Sequence, residues 1–433
     1  MTLAKCLVGL SFILFTSISS SLVASPVVSD TVALPTMSDL YDLLEALDAA
    51  GEYQTIAHHL FTANQDLRSS ELYMYAGLYY SKANLPDSAA VALLLALDNG
   101  MANPNILSVY QELAIVKHSD QWKTIDQKLK NLKQRLRQFE RFEIDVSPMK
   151  FFGKYFGAAR RDTTRARALL REYVVSGSPA VRDYYTIRYR SVEAMYQQMI
   201  QDHPTLYEQT QQVFANSVFD IIRQETVSMM RTFAALYESA VFPKVYVVSG
   251  LNNSGGTATN LGLFVGGEKF IKPIATDDGR LNKQQLDSMN SFEGMQGLIM
   301  HELMHFQQNY QDDENISKVL GKIIHEGVCD FLVELCSGEA RKEDKITYLD
   351  QPKNMKFIAD EFKKDRYGED LSRWMYNGDI KDRPVDIGYT LGYLVCKSYY
   401  KNSPDKQKAI YTLLNTDDFR KIYLNSEYAY LLD

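Results

Sequence analysis

The chain has 433 residues, of which 45% are hydrophobic and 23% charged. That balance belongs to a folded globular protein long enough for two or three domains, and its 28 Tyr supply ample material for a core. The formal net charge of −7 gives no electrostatic footprint for nucleic acid and argues against general adhesion to anionic membranes.

The N-terminus differs from the rest. Cys6–Ile18 (CLVGLSFILFTSI) is an apolar run, followed by small residues up to SSLVAS. This predicts a secretory signal peptide over 1–24, cleaved near Ala24, because the run is too short to span a bilayer comfortably. An N-terminal anchor or a mis-assigned start is the alternative. The expectation is an exported protein, periplasmic or extracellular, with no stable membrane span after cleavage. Cys6 would leave with the signal. Cys329 and Cys336 share a predicted helix, roughly 10 Å apart and too far to bridge. Either could pair with Cys396, or all three could be buried thiols.

Residues 35–138 read as a helical domain. Within it, Tyr73–Pro104 carries small residues at Ala76, Gly77, Ala89 and Ala96, large ones at Tyr80 and Leu93, and a following Pro. That pattern resembles a tetratricopeptide repeat, with Asp39–Ala50 and Asn105–His118 as degenerate neighbours. It implies a module for a protein partner, or simply a short helical packing domain. Lys123–Arg141 is a basic stretch expected to form a solvated connecting helix, and FEIDVSP (Phe142–Pro148) breaks the pattern. The second domain is therefore placed at 140–433.

Long amphipathic helices are predicted from Ala158 to Ser239. Then PKVYVVSG (Pro243–Gly250) reads as a β-branched strand, LNNSGGTATN as a turn-rich loop, and LGLFVGGEKF as a second strand. A short β-ribbon thus precedes the next helix. The fold class is mostly α (α+β).

That next helix is predicted over Ser291–Gln311, where apolar residues recur at helical spacing. It contains HELMH. His301 and His305 are four residues apart, about 40° of rotation and about 6 Å of rise, so both imidazoles can meet one tetrahedral ion. Glu302 lies about 100° round, off the metal but close to where a general base is needed. A second helix is predicted from about Asn315 to Leu335, stopping at Gly338. From His301 to Gln311 is about 15 Å of helix and from Asn315 to Glu326 about 16 Å. Antiparallel packing would return Glu326 to the level of His301. Glu326 is then the third ligand, and Asp330, one turn on, orients a ligating imidazole. Asp330 as the ligand, His325 as the ligand and Cys329 as the ligand remain alternatives, as does a helix that binds no metal.

HELMH with Glu326 and Asp330 in an ExxxD arrangement resembles the gluzincin type of metallopeptidase. With the strand–NSGGTA–strand ribbon and RPVDIGYTLGYLV (Arg383–Val395), residues 140–425 are similar to a bacterial family of predicted zinc-dependent proteases related to gliding-motility lipoproteins. The resemblance implies a zincin-like domain in which His301, His305 and Glu326 bind Zn2+. It implies Glu302 as the base that takes a proton from water and passes it to the leaving amine, and Asp330 as the group that orients a His. Tyr389 or Tyr393 would support the oxyanion, although Gly388 and Gly392 also read as a close helix contact. The VYVVSG strand would be an edge strand on which a peptide lies. The implied reaction is zinc-dependent hydrolysis of a peptide or protein substrate. The second reading is an envelope assembly protein that uses a zincin fold as scaffold.

Overall fold

The computed structural model describes residues 34–432 except 217–218, 273, 275–278, 283–284, 287, 341–343 and 379. The predicted signal peptide lies outside the described residues.

Helices α1 (Met37–Ala49), α2 (Tyr53–Ala63), α3 (Ser70–Lys82) and α4 (Pro86–Asp98) follow each other through short turns. Ser69 caps α3, its hydroxyl accepting from the Leu72 amide, a favoured start for a helix. α3 and α4 form a tight hairpin. A Cβ on Gly77 would lie 3.3 Å from the Ala89 carbonyl oxygen, so the small residues there are a packing requirement. α5 (Trp122–Leu136) buries Ile125, Leu129 and Leu132, one apolar stripe on an otherwise basic helix.

The middle of the chain adds α6 (Ser147–Arg161), α7 (Ala166–Val175), α8 (Pro179–Tyr184), α9 (Pro204–Asn216) and α10 (Asp220–Leu236). α8 runs on into a π-helical turn over Tyr185–Tyr189, which ends at Arg190 with φ +61°.

The sheet has four strands, β1 (Ile144–Asp145), β2 (Val245–Val248), β3 (Gly256–Thr259) and β4 (Gly262–Gly266), in the order β1-β2-β4-β3. β2 runs parallel to β1 and β4, and β3 is antiparallel to β4. This corrects two expectations. The ribbon is a mixed sheet, because FEIDVSP supplies a strand and GTAT within the loop supplies another. VYVVSG is not the edge: β2 is paired on both sides, as befits a β-branched run buried on both faces. The edges belong to β1 and β3, and β3 is the one that lines a cleft.

Helices α11 (Met295–Gln307), α12 (Val319–Ser337) and α13 (Ile387–Asn402) complete the frame of the site. α12 starts later than predicted. A Cβ on Gly321 would meet the Asn315 carbonyl oxygen at 2.0 Å, so the preceding turn folds back over it and breaks the helix at Lys318. Gly338 ends α12 in the left-handed region at φ +73°, as a C-terminal Gly commonly does. α12 and α13 cross in direct backbone contact: a Cβ on Gly327 would lie 2.1 Å from the Gly392 carbonyl carbon, and one on Gly392 would lie 1.9 Å from the Ile323 carbonyl oxygen.

One buried apolar cluster runs from Met37 to Leu432. The N-terminal helices are part of it and are hydrogen-bonded to the second half of the fold. The Met37 amide donates to the Arg190 carbonyl at 2.7 Å and the Ala102 amide to the Asn260 carbonyl at 2.6 Å. Cys329, Cys336 and Cys396 are buried free thiols. Among the described residues no helix is long and apolar enough to cross a membrane.

Candidate metal centre

α11 and α12 place three donor atoms together. His305 Nε2 lies 3.1 Å from His301 Nε2 and 3.1 Å from Glu326 Oε2, and His301 Nε2 lies 3.4 Å from the same carboxylate oxygen. A tetrahedral zinc with bonds of about 2.0–2.2 Å holds its donors roughly 3.3–3.6 Å apart. The triangle therefore has nearly the size such an ion requires.

The far nitrogens of both rings are occupied. His301 Nδ1 is 3.0 Å from Asp330 Oδ1, and His305 Nδ1 is 2.9 Å from Gln308 Oε1. Each partner is an acceptor there, so each Nδ1 carries the proton and each Nε2 presents a lone pair. Two lone pairs and a carboxylate oxygen then converge with no donor between them, an arrangement that a cation satisfies. Without an ion, a proton on His301 takes the cation's place between Nε2 and the carboxylate, and a metal would have to displace it. Burial opposes a charge on His301, yet hydrogen bonds to Asp330 and Glu326 raise its pKa well above the usual imidazole value. Burial likewise opposes a charge on Glu326, yet His305 and Lys322 hold its carboxyl well below the usual range.

The donors of His301, His305 and Cys329, and those of His305, His325 and Glu326, also lie within 4.8 Å of one another. Neither set converges as well. Cys329 Sγ sits 3.3 Å from His305 Nδ1, behind the ring, and burial keeps it a thiol by raising its pKa. His325 stacks on His305 with ring centroids 4.6 Å apart. Burial, and next the Lys322 charge, lower its pKa to about 3, so it packs as a neutral ring. Asp330 hydrogen-bonds His301 Nδ1 and so stands behind the ring, away from the triangle.

Glu302 is buried and lines the cleft beside His301 and His305. Gly256 on β3 makes room for it: a Cβ there would lie 2.6 Å from Glu302 Oε1. The cleft has a volume of about 1270 Å³, with β3 and the loop before it along one wall and Tyr389 and Tyr376 on another. Burial, and then the Glu326 carboxylate, push the Tyr389 phenol well above its usual value, so it keeps its proton. Tyr393 is placed elsewhere. Its hydroxyl donates to Glu334 and accepts from Lys397 at 2.8 Å, and it does not line the cleft. Of the GYTLGY pair, only Tyr389 is at the site. The spacing i, i+4 puts both rings on one face of α13, but one turn further on the second ring meets Glu334 and Lys397 instead of the cleft.

Four residues of the site carry no signal in the sequence pattern. Lys322 Nζ holds Glu326 Oε1 at 3.3 Å, and only its place on the buried stripe of α12, four residues before Glu326, could have marked it. Gln308 has an amide three residues after His305. Tyr376 sits in a loop at φ +58°. Arg188, on the π-helical turn, lines the cleft with no motif around it.

A family model described as "Predicted Zn-dependent protease (DUF2268)" matches residues 279–421. This is the part of the chain that carries α11, α12 and α13, while the sheet and the N-terminal helices fall outside it. No curated protein and no solved structure matches.

Proposed function

We propose that this protein is a zinc-dependent peptidase. The observation that carries the reading is the triangle of His301 Nε2, His305 Nε2 and Glu326 Oε2, with Glu302 beside it in the cleft. When bound, zinc would acidify water and polarise the scissile carbonyl. The chain's own residues do the rest. Glu302 takes a proton from the attacking water and returns it to the leaving amine. Tyr389 donates a hydrogen bond to the developing oxyanion. Asp330 and Gln308 fix the tautomers of the two ligating rings, and Lys322 holds the second oxygen of Glu326. An extended substrate pairs its backbone with the open edge of β3.

The test begins with zinc content in protein purified without added metal. One zinc per chain is expected, lost in His305→Ala and kept in Glu302→Gln. Cleavage of casein or a peptide library should fall at least a hundredfold in Glu302→Gln. A wild type without zinc, or a Glu302→Gln variant as active as wild type, would sink the reading. Stoichiometric zinc with no cleavage would point to a scaffold.

A further inference from the structure

The π-helical turn Tyr185–Tyr189 presents a cation to the cleft that the hydrolytic machinery does not use. Arg188 Nε donates to Thr257 Oγ1 at 2.8 Å, which ties the guanidinium to edge strand β3. Among the described residues no carboxylate pairs with it; Glu302 is the carboxylate that acts on it electrostatically, while burial lowers its pKa. Its Nη groups are left for the cleft it lines. A half-buried guanidinium with no carboxylate paired to it gains from an anion that arrives in the cleft.

The backbone that carries it is held from several directions. The Tyr185 hydroxyl donates to the Pro35 carbonyl and the Tyr41 hydroxyl to the Thr186 carbonyl, each at 2.8 Å. The Tyr189 hydroxyl donates to the Ser249 carbonyl at 2.5 Å. The turn closes on Arg190 in the left-handed region. A π-turn followed by a non-glycine left-handed residue persists only where surroundings over-determine it, and such devices cluster at functional sites.

We infer that Arg188 is a specificity residue that binds a carboxylate of the substrate, with rank order set by charge. Two neighbouring residues of β3 fix where that carboxylate falls. Gly256 abuts Glu302 and Thr257 holds Arg188. A peptide lying on β3 therefore places its anionic group within a residue or two of the scissile bond. The anion is either a free C-terminal carboxylate or an Asp or Glu side chain. A bidentate guanidinium–carboxylate pair is the geometry that an Arg fixed through Nε offers.

The inference rests on the peptidase reading, and its test is built to separate the two. Matched peptides are compared as free acid against C-terminal amide, and as Glu against Gln near the cleavage point. Wild type should favour one anionic member roughly ten- to hundredfold in kcat/KM. Which pair shows the preference tells the two sources apart. Arg188→Gln should collapse that ratio toward one, chiefly through KM, and Arg188→Lys should keep part of it. Zinc content and Tm serve as folding controls. A wild type indifferent to the charge overturns the inference, as does an Arg188→Gln variant that loses activity equally on both members of a pair. The latter would make Arg188 a donor to the oxyanion. If wild type cleaves nothing, the same ratios are read as Kd by fluorescence anisotropy on zinc-loaded protein. Equal Kd values for anionic and neutral peptides then overturn this inference separately from the peptidase reading.

Discussion

Glu302 and Gly256 are coupled by a contact that leaves no room for a methyl group. A Cβ at position 256 would fall 2.6 Å from both Cγ and Oε1 of Glu302, and no conformational demand of the glycine itself explains its presence, since its φ is not positive. Gly256→Ala should therefore displace the carboxylate rather than strain the strand. The expected outcome is full zinc occupancy, a small change in Tm and a fall in kcat of about a hundredfold, the scale on which a misplaced base costs rate. Parallel measurement of metal content and kcat checks it, and unchanged kcat would remove Gly256 from the argument. At this scale the sequence is readable where chemistry restricts the residue type. His301, Glu302, His305, Glu326 and Asp330 announce themselves through spacing. Arg188, Lys322 and Gln308 do not, because a charged or amide residue on a helix has many ordinary uses, and only tertiary packing brings these three to the centre.

Between elements, the decisive contact is the crossing of α12 and α13. Gly327 and Gly392 let the two backbones touch, and that closeness sets where Glu326 and Tyr389 stand relative to α11. Gly392→Ala would drive a Cβ to within 1.9 Å of the Ile323 carbonyl oxygen. Neither partner is a flexible side chain, so the helices must separate, at a cost of about 3 kcal/mol. Urea unfolding should register that loss, together with weaker zinc retention because Glu326 moves with α12. Gly297→Ala is the matched control: nothing lies within 4 Å of a Cβ there, and an Ala within α11 should be neutral or stabilising by up to about 1 kcal/mol. Equal effects of the two substitutions would contradict the crossing argument. The pairing of HELMH with HEGVCD is legible in the sequence although both helical legs are shorter than counted: α11 ends at Gln307 and α12 starts at Val319, so the legs shorten alike and Glu326 still returns to the level of His301. The sheet is legible only in part because GTAT is too small and polar to show strand periodicity, and a two-residue strand such as β1 has no period at all. An edge position for VYVVSG conflicts with its apolar character, which belongs to the centre of the sheet.

At the scale of the whole molecule, the N-terminal helices are docked through buried carboxylates. Glu71 on α3 accepts from the Asn260 amide at 2.7 Å and from Asn260 Nδ2 at 3.0 Å, next to the turn that joins β3 to β4. Asp183 on α8 accepts from the Ser70 amide at 2.8 Å. Sequence alone places these residues in separate segments, since nothing in a helix pattern tells which face another part of the chain will cover. Burial, and then the Asp183 charge, raise the Glu71 pKa from an ordinary 4.5 to about 7, and burial raises Asp183 to about 6. In that window the folded chain keeps protons that the unfolded chain has released. The contribution is fully present below about pH 4.5 and is lost as pH rises through about 7, on the order of 3 kcal/mol for Glu71. Tm should therefore decline between pH 5 and about pH 7.5 and then level off. A cation at the proposed site would add a pH dependence of opposite sign, because its ligands must be deprotonated to hold it. Comparing wild type with Glu71→Gln cancels that part, since both proteins carry the same site. The slope should flatten in the variant, and the loss of amide protection around Asn260 with rising pH, relative to intrinsic exchange, should disappear. Identical slopes in the two proteins would show that Glu71 does not titrate with folding.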